Sequence, residues 1–175
     1  PLVRGWFRQD DFPQNALLYR RLTATQYVQW LRSLAVRYVV LTDSRPDYSA
    51  QREAALLRGG RSGLATVFKS PHIQIFEVPH PRTLVSGPPG SAVVAFGRER
   101  VDLRLAAPGT YRVAIRYSPY WNASSGCVST GPDGMLRLRA PHAGLVHLHF
   151  QVGASALLRV LLGEHGASCS TPTVP

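Results

Sequence analysis

The chain has 175 residues, 45% of them apolar and 17% charged, a balance that suits folded domains and excludes an extended disordered chain. Its formal net charge is +10, and nearly all of the positive charge is arginine, with Lys69 the only lysine. The arginines are scattered from Arg4 and Arg8 through Arg37 to Arg159, which argues against a specific nucleic-acid footprint and leaves a loose attraction to anionic lipid or polymer. Arginine in place of lysine, with abundant Ala, Gly and Pro, also reads as the composition of a GC-rich genome. No secretory signal is visible at Pro1, and no apolar run reaches the ~18 residues a membrane-spanning helix needs. The first residue is not Met, so the chain reads as a processed product or a piece of a larger protein.

Residues 1–22 form a mixed lead-in with Trp6, Phe7 and Phe12, and a short helical turn is predicted at Asn15 to Arg20. Thr23 and Gln26 have capping-box spacing, and Tyr27, Trp30, Leu31 and Leu34 recur at helical spacing behind them. Arg37 to Leu41 is a dense β-branched and aromatic run without alternation, which predicts a strand covered on both faces. A loop from Thr42 to Asp47 leads to a second helix over Ser49 to Arg58, ended by Gly59-Gly60. Leu64 to Phe68 and Ile73 to Val78 read as two strands around the turn Ser70-Pro71-His72. The predicted unit, residues 1–80, is a small α/β layer with helices on a sheet.

Pro79 to Gly90 carries four prolines and two glycines and reads as the boundary between two domains. Beyond it the pattern changes. Val93 to Phe96, Val101 to Leu105, Tyr111 to Tyr117, Met135 to Arg139, Leu145 to Val152 and Ala156 to Leu162 are short strand-like runs between Gly/Pro turns. Val101, Leu103 and Leu105 alternate against Asp102 and Arg104, and Leu136 and Leu138 against Arg137 and Arg139, giving one buried and one wet face. The expected fold class is α+β: the small α/β unit followed, over 91–163, by an antiparallel β-sandwich of jelly-roll or Ig-like type. A loosely ordered tail is expected over 164–175. Cys127 and Cys169 make neither a CxxC nor a metal cluster. They would pair in an oxidising compartment and stay free in a reducing one.

The chemistry-bearing residues are few. His147 and His149 share one strand face opposite Val146, Leu148 and Phe150; two imidazoles at i,i+2 could hold a metal if His142 or Glu164 joined them, and otherwise they are hydrogen-bonded surface histidines. Asp10-Asp11 is an acidic pair, and Asp43 and Asp47 frame a loop after a strand, as in sites that hold a divalent ion. Asp47 also has the position of a helix cap. No nucleophile elbow, P-loop or HExxH motif occurs. Asn122-Ala-Ser124 has the acceptor pattern for N-glycosylation. The strand Tyr111 to Tyr117 meets Pro119, which has no N–H to donate, and ends in Tyr120 and Trp121. Tyr117, Tyr120 and Trp121 are the candidate carbohydrate-binding residues, either as a shelf that stacks on a sugar ring or as packing over the end of the core. No catalytic residue, metal ligand or cofactor is assigned.

Two parts of the chain resemble the extracytoplasmic C-terminal region of bacterial YfhO-like, GT-C-type membrane glycosyltransferase-like proteins. One is Tyr27 to Leu41, YVQWLRSLAVRYVVL, continued by Ile73-Gln-Ile-Phe-Glu-Val78 and a proline. The other is Tyr117 to Trp121, followed by Gly134 and by Pro141-His142-Ala143-Gly144-Leu145. The match is soft around Asn122 to Cys127, where an Asp-Gly after the Trp would be more usual. The resemblance implies lipid-linked sugar transfer by a parent protein whose catalytic segments lie in the membrane. This chain would then be a non-catalytic external module at the cell membrane. It would support the transmembrane part of the same parent, or contact cell-envelope glycan or anionic lipid. A secreted carbohydrate-binding protein is the alternative, and a small divalent-metal-dependent enzyme near Asp43 a further one.

Overall fold

The computed structural model describes residues 15–153 and Cys169, which divide into two units at Arg82 and Thr83. The expected acidic pair Asp10-Asp11, the strand Ala156 to Leu162, Glu164 and the tail apart from Cys169 lie outside the described residues.

The first unit opens with a 3-10 turn, Ala16–Tyr19, and then helix α1, Ala24–Ser33. Helix α1 starts where the sequence predicts. The Thr23 hydroxyl accepts from the Gln26 N–H at 3.3 Å, and the Gln26 side-chain oxygen accepts from the Thr23 N–H at 3.2 Å. These two bonds satisfy backbone donors that a helix start otherwise leaves open. The helix ends at Ala35 in the left-handed region, φ 56°, with the Val36 N–H donating to the Leu31 carbonyl at 3.0 Å. Strand β1, Tyr38–Thr42, follows, then helix α2, Gln51–Arg58, and the hairpin of β2, Ala65–Lys69, and β3, Ile73–Glu77. Before α2, Asp47 Oδ1 accepts from the Ser49 and Ala50 N–H groups, both at 2.9 Å, and from the Ser49 hydroxyl at 2.6 Å.

The three strands form an antiparallel sheet in the order β1-β3-β2. Val39, Leu41 and Phe76 turn to one face and pack with Leu18, Tyr27, Leu31 and Leu57. The other face departs from the sequence expectation. β1 was expected to be covered on both sides, yet Tyr38 is 47% and Val40 58% exposed, as is Phe68 of β2 at 51%. The apolar run in β1 therefore reflects one buried face and one apolar face left open among the described residues, rather than a central position in a parallel sheet.

Among the described residues, the second unit has eight strands: β4, Val85–Ser86; β5, Ala92–Phe96; β6, Arg100–Leu105; β7, Gly109–Arg116; β8, Trp121–Ala123; β9, Cys127–Thr130; β10, Met135–Ala140; and β11, Gly144–Phe150. They form two antiparallel sheets of four, ordered β4-β7-β10-β9 and β5-β6-β11-β8. Both sheets feed one hydrophobic cluster that includes Val101, Leu103, Tyr111, Val113, Leu136, Leu138, Val146 and Leu148. The described residues thus form a mixed α+β architecture with three antiparallel sheets. The division at Arg82 and Thr83 falls inside the expected boundary stretch Pro79 to Gly90, and the part after it belongs to the second unit: Val85 of β4 pairs with Val113 and is buried in this cluster.

Tyr111 holds the crossing from one sheet to the other. Its ring is fully buried, and its hydroxyl donates to the Ala107 carbonyl at 2.5 Å while accepting from the Ala107 N–H at 3.3 Å. That clamps the turn between β6 and β7. Gly87 passes so close that a Cβ there would lie 2.6 Å from the Tyr111 ring, so only glycine fits. On the turn between β9 and β10, Asp133 accepts from Arg112 Nε at 2.6 Å and lies 3.4 Å from Arg137 Nη2. Burial pushes the Asp133 carboxyl up, but the Arg112 hydrogen bond and the Met135 N–H outweigh it and hold the carboxyl below its ordinary range. Cys127 and Cys169 are joined in a disulfide with their Cα atoms 5.0 Å apart, the paired one of the two states that the sequence leaves open.

Candidate functional site

The aromatic end of β7 separates into three environments. Tyr117 lies just past β7, where its N–H donates to the Gly134 carbonyl at 3.0 Å. Trp121 begins β8 on the other sheet and turns inward: it is 9% exposed and belongs to the core cluster. Its indole meets Phe150 edge-on with ring centroids 5.3 Å apart. Tyr120 is half-buried and meets the same Phe150 edge-on at 5.9 Å. The structure therefore brings Tyr120 and Trp121 together around Phe150 and keeps Tyr117 at the end of another sheet. An indole so deeply packed presents no open platform, and Trp121 packs in the core beneath the strand end.

Beside this cluster runs an open groove of about 690 Å³ lined by Glu99, Arg100, Asn122, Ser124, His149 and Phe150, with Ala123 and Gln151. Strand register explains it. β11 pairs with β6 on one side and with β8 on the other, so Arg100, His149 and Asn122 fall in one row across the sheet. The next row pairs His147 with Asp102. Because Val146 and Leu148 fill the core, alternation sends His147 and His149 to the opposite, wet face. The Tyr120 carbonyl accepts from the Gln151 N–H at 3.0 Å and from Asn122 Nδ2 at 3.2 Å, fixing the strand end against the groove.

One charged trio borders this face. Asp102 Oδ1 accepts from Arg100 Nε at 2.6 Å and lies 2.7 Å from His147 Nδ1. The hydrogen bonds from Arg100 and then His147 hold the Asp102 carboxyl down at about 2. His147 thus has an acidic partner in the protein, and its ring centroid is 6.1 Å from that of His149. Sequence reasoning found the two histidines but not Arg100, Asp102 and Phe150 as their neighbours. The signal was present in the wet-face alternation of β6, but only the β6–β11 register joins it to β11.

In the first unit, Asp43 and Asp47 do not act as a pair. Asp47 is engaged at the start of α2, while Asp43 Oδ2 lies 2.6 Å from His72 Nδ1 across the hairpin. A cleft of about 380 Å³ beside that contact is lined by Asp43, Arg58, Ser70, His72 and Gln74 among others, and Asp47 is not part of it. Among the described residues, no group of three or more His, Cys, Asp or Glu is placed to hold a metal ion. No described helix is long and apolar enough to cross a membrane.

Comparison with protein-family models, with characterised proteins and with solved structures finds no match to this chain.

Proposed function

We propose that this chain is a non-catalytic extracytoplasmic module of a polytopic bacterial membrane protein of the glycosyltransferase-like kind. It would support the membrane part of the same parent and contact envelope glycan. The observation that carries the reading is the Cys127–Cys169 disulfide, because structural disulfides persist in oxidising compartments outside the cytoplasm. Three acidic side chains that serve structural contacts add support: Asp47 ahead of a helix, Asp133 between two arginines, and Asp102 between Arg100 and His147. The second unit is read as a β-sandwich of jelly-roll or Ig-like type. The core shared by two four-stranded sheets favours that reading, and so does the Tyr111 clamp, which is similar to the tyrosine corner of Greek-key sandwiches. Fractionation of cells making the full-length gene product tests the parent: it should sediment with membranes and resist carbonate extraction. Release as a soluble protein would overturn the membrane reading.

Glycan binding is the second reading, and the groove favours it. Polar side chains on a flat wet face beside a half-exposed aromatic ring suit a polyhydroxylated ligand. Tyr120 is the aromatic contact, Arg100, Asn122 and His149 supply the polar ones, and Trp121 holds Phe150 in place. Titration of the chain with envelope polysaccharide fragments, followed by NMR, should shift signals of Asn122 and His149, and Tyr120→Ala should weaken the interaction. Shifts confined to other strands would remove the groove from consideration.

A further inference from the structure

The open face of the three-stranded sheet is a second surface with a chemistry of its own. By register, Val40, Ile75 and Phe68 lie in one row across β1, β3 and β2, and Thr42 and Ile73 lie in a neighbouring row. Tyr38 stands at one end, opposite Glu77. Tyr38, Val40, Phe68 and Ile73 are all exposed, and so is Val67 at the irregularity in β2. An apolar patch of this kind on a sheet face is uncommon unless something covers it. The unit that carries it is cationic. Residues 15–82 carry ten Lys and Arg against four Asp and Glu, a net of +6. Arg37 sits at the Tyr38 end, 5.2 Å from that ring and 4.0 Å from Glu77, while Lys69 falls in the row of Gln74 and Leu41, on the opposite face.

We infer that this face docks on an anionic lipid surface. Aromatic and β-branched side chains on a unit of net positive charge match a bilayer interface, where rings settle at the headgroup level and Lys and Arg meet the acidic headgroups. Tyr38 combines an apolar body with a polar tip, and Phe68 and Val40 reach deeper. Positive charge brings the unit to the surface, and the apolar row holds it there. The inference rests on the proposed membrane-associated setting for where the lipid is encountered. The surface is defined by the first unit alone.

The test is co-sedimentation of the purified full chain with large vesicles, either phosphatidylcholine alone or a phosphatidylcholine–phosphatidylglycerol mixture. Partitioning should be roughly tenfold stronger on the acidic vesicles and should fall at high salt. Val40→Asp/Phe68→Asp should reduce it by roughly tenfold or more. Val40→Thr/Phe68→Thr keeps strand propensity and charge, and should also weaken it. The charge-matched pair Thr110→Asp/Thr130→Asp, on exposed positions of the other unit, should bind nearly as the parent chain does. Equal binding to both vesicle types, or unchanged binding by the Thr variant, would overturn the inference. Self-association that the Thr variant abolishes, without vesicle binding, would assign the face to a second copy and overturn it equally. Such a failure would leave the fractionation result untouched, so it is distinguishable from failure of the proposed membrane-protein reading.

Discussion

Trp121→Ala separates a core residue from a ligand platform. The indole is 9% exposed, sits in the core cluster and packs edge-on against Phe150 at 5.3 Å. Truncating a buried Trp costs about 3–5 kcal/mol through lost transfer energy and the cavity left behind. In a unit of this size each kcal/mol moves the midpoint by about 4–8 °C, so even the low end predicts a drop of about 12–24 °C. Tyr120→Ala should cost much less, about 1–2 kcal/mol, because that ring is half-buried and keeps one edge contact. Differential scanning calorimetry is the suitable assay, since two units can unfold in separate transitions. Only the transition of the second unit should move. A Trp121→Ala loss below about 1 kcal/mol, or a Tyr120→Ala loss as large as that of Trp121→Ala, would refute the assignment of Trp121 to the core.

Other perturbations follow from the same contacts. Replacing Cys127 and Cys169 with Ser frees a loop whose ends lie 42 residues apart, and chain entropy sets the loss at about 4 kcal/mol, measurable by denaturant unfolding with and without reductant. Asp102 has its carboxyl held at about 2, below the ordinary 3.8. Its contribution is therefore present above about pH 4 and lost as the pH falls towards about 2; in melts across that window Asp102→Asn should flatten the decline. Ala35 is held at φ 56°, so Ala35→Gly should stabilise the first unit by about 1 kcal/mol in urea unfolding.

Much of the local structure was legible in the sequence because it depends on neighbours a few residues apart. Thr23 and Gln26 cap α1 and Ser70-Pro71-His72 turns the β2–β3 hairpin, as their residue types imply, whereas Asp47 is not the cap of α2, which starts at Gln51 behind Ala50, and instead binds the Ser49 and Ala50 N–H groups of the turn ahead of it. The strands β6, β7 and β10 alternate cleanly because one face of each is buried. What escaped was short or non-local. β4, β8 and β9 span two to four residues each, too few to show a period, and β4 was hidden among prolines. The open face of β1 was invisible because apolar residues on both sides of a strand imply cover without saying whether the chain supplies it. The groove escaped for a related reason. Arg100 and His149 are far apart in sequence, and only strand register sets them side by side.

The central claim, that this chain works outside the cytoplasm, is tested most directly by the state of its two cysteines in living cells. Intact cells making the full-length gene product are treated with a membrane-impermeant maleimide, before and after an impermeant reductant, and the peptides holding Cys127 and Cys169 are read by mass spectrometry. The account predicts no labelling before reduction and labelling of both after it, with the cells unbroken. Labelling that appears only after lysis, without any reductant, would mean free thiols on the cytoplasmic side and would contradict it.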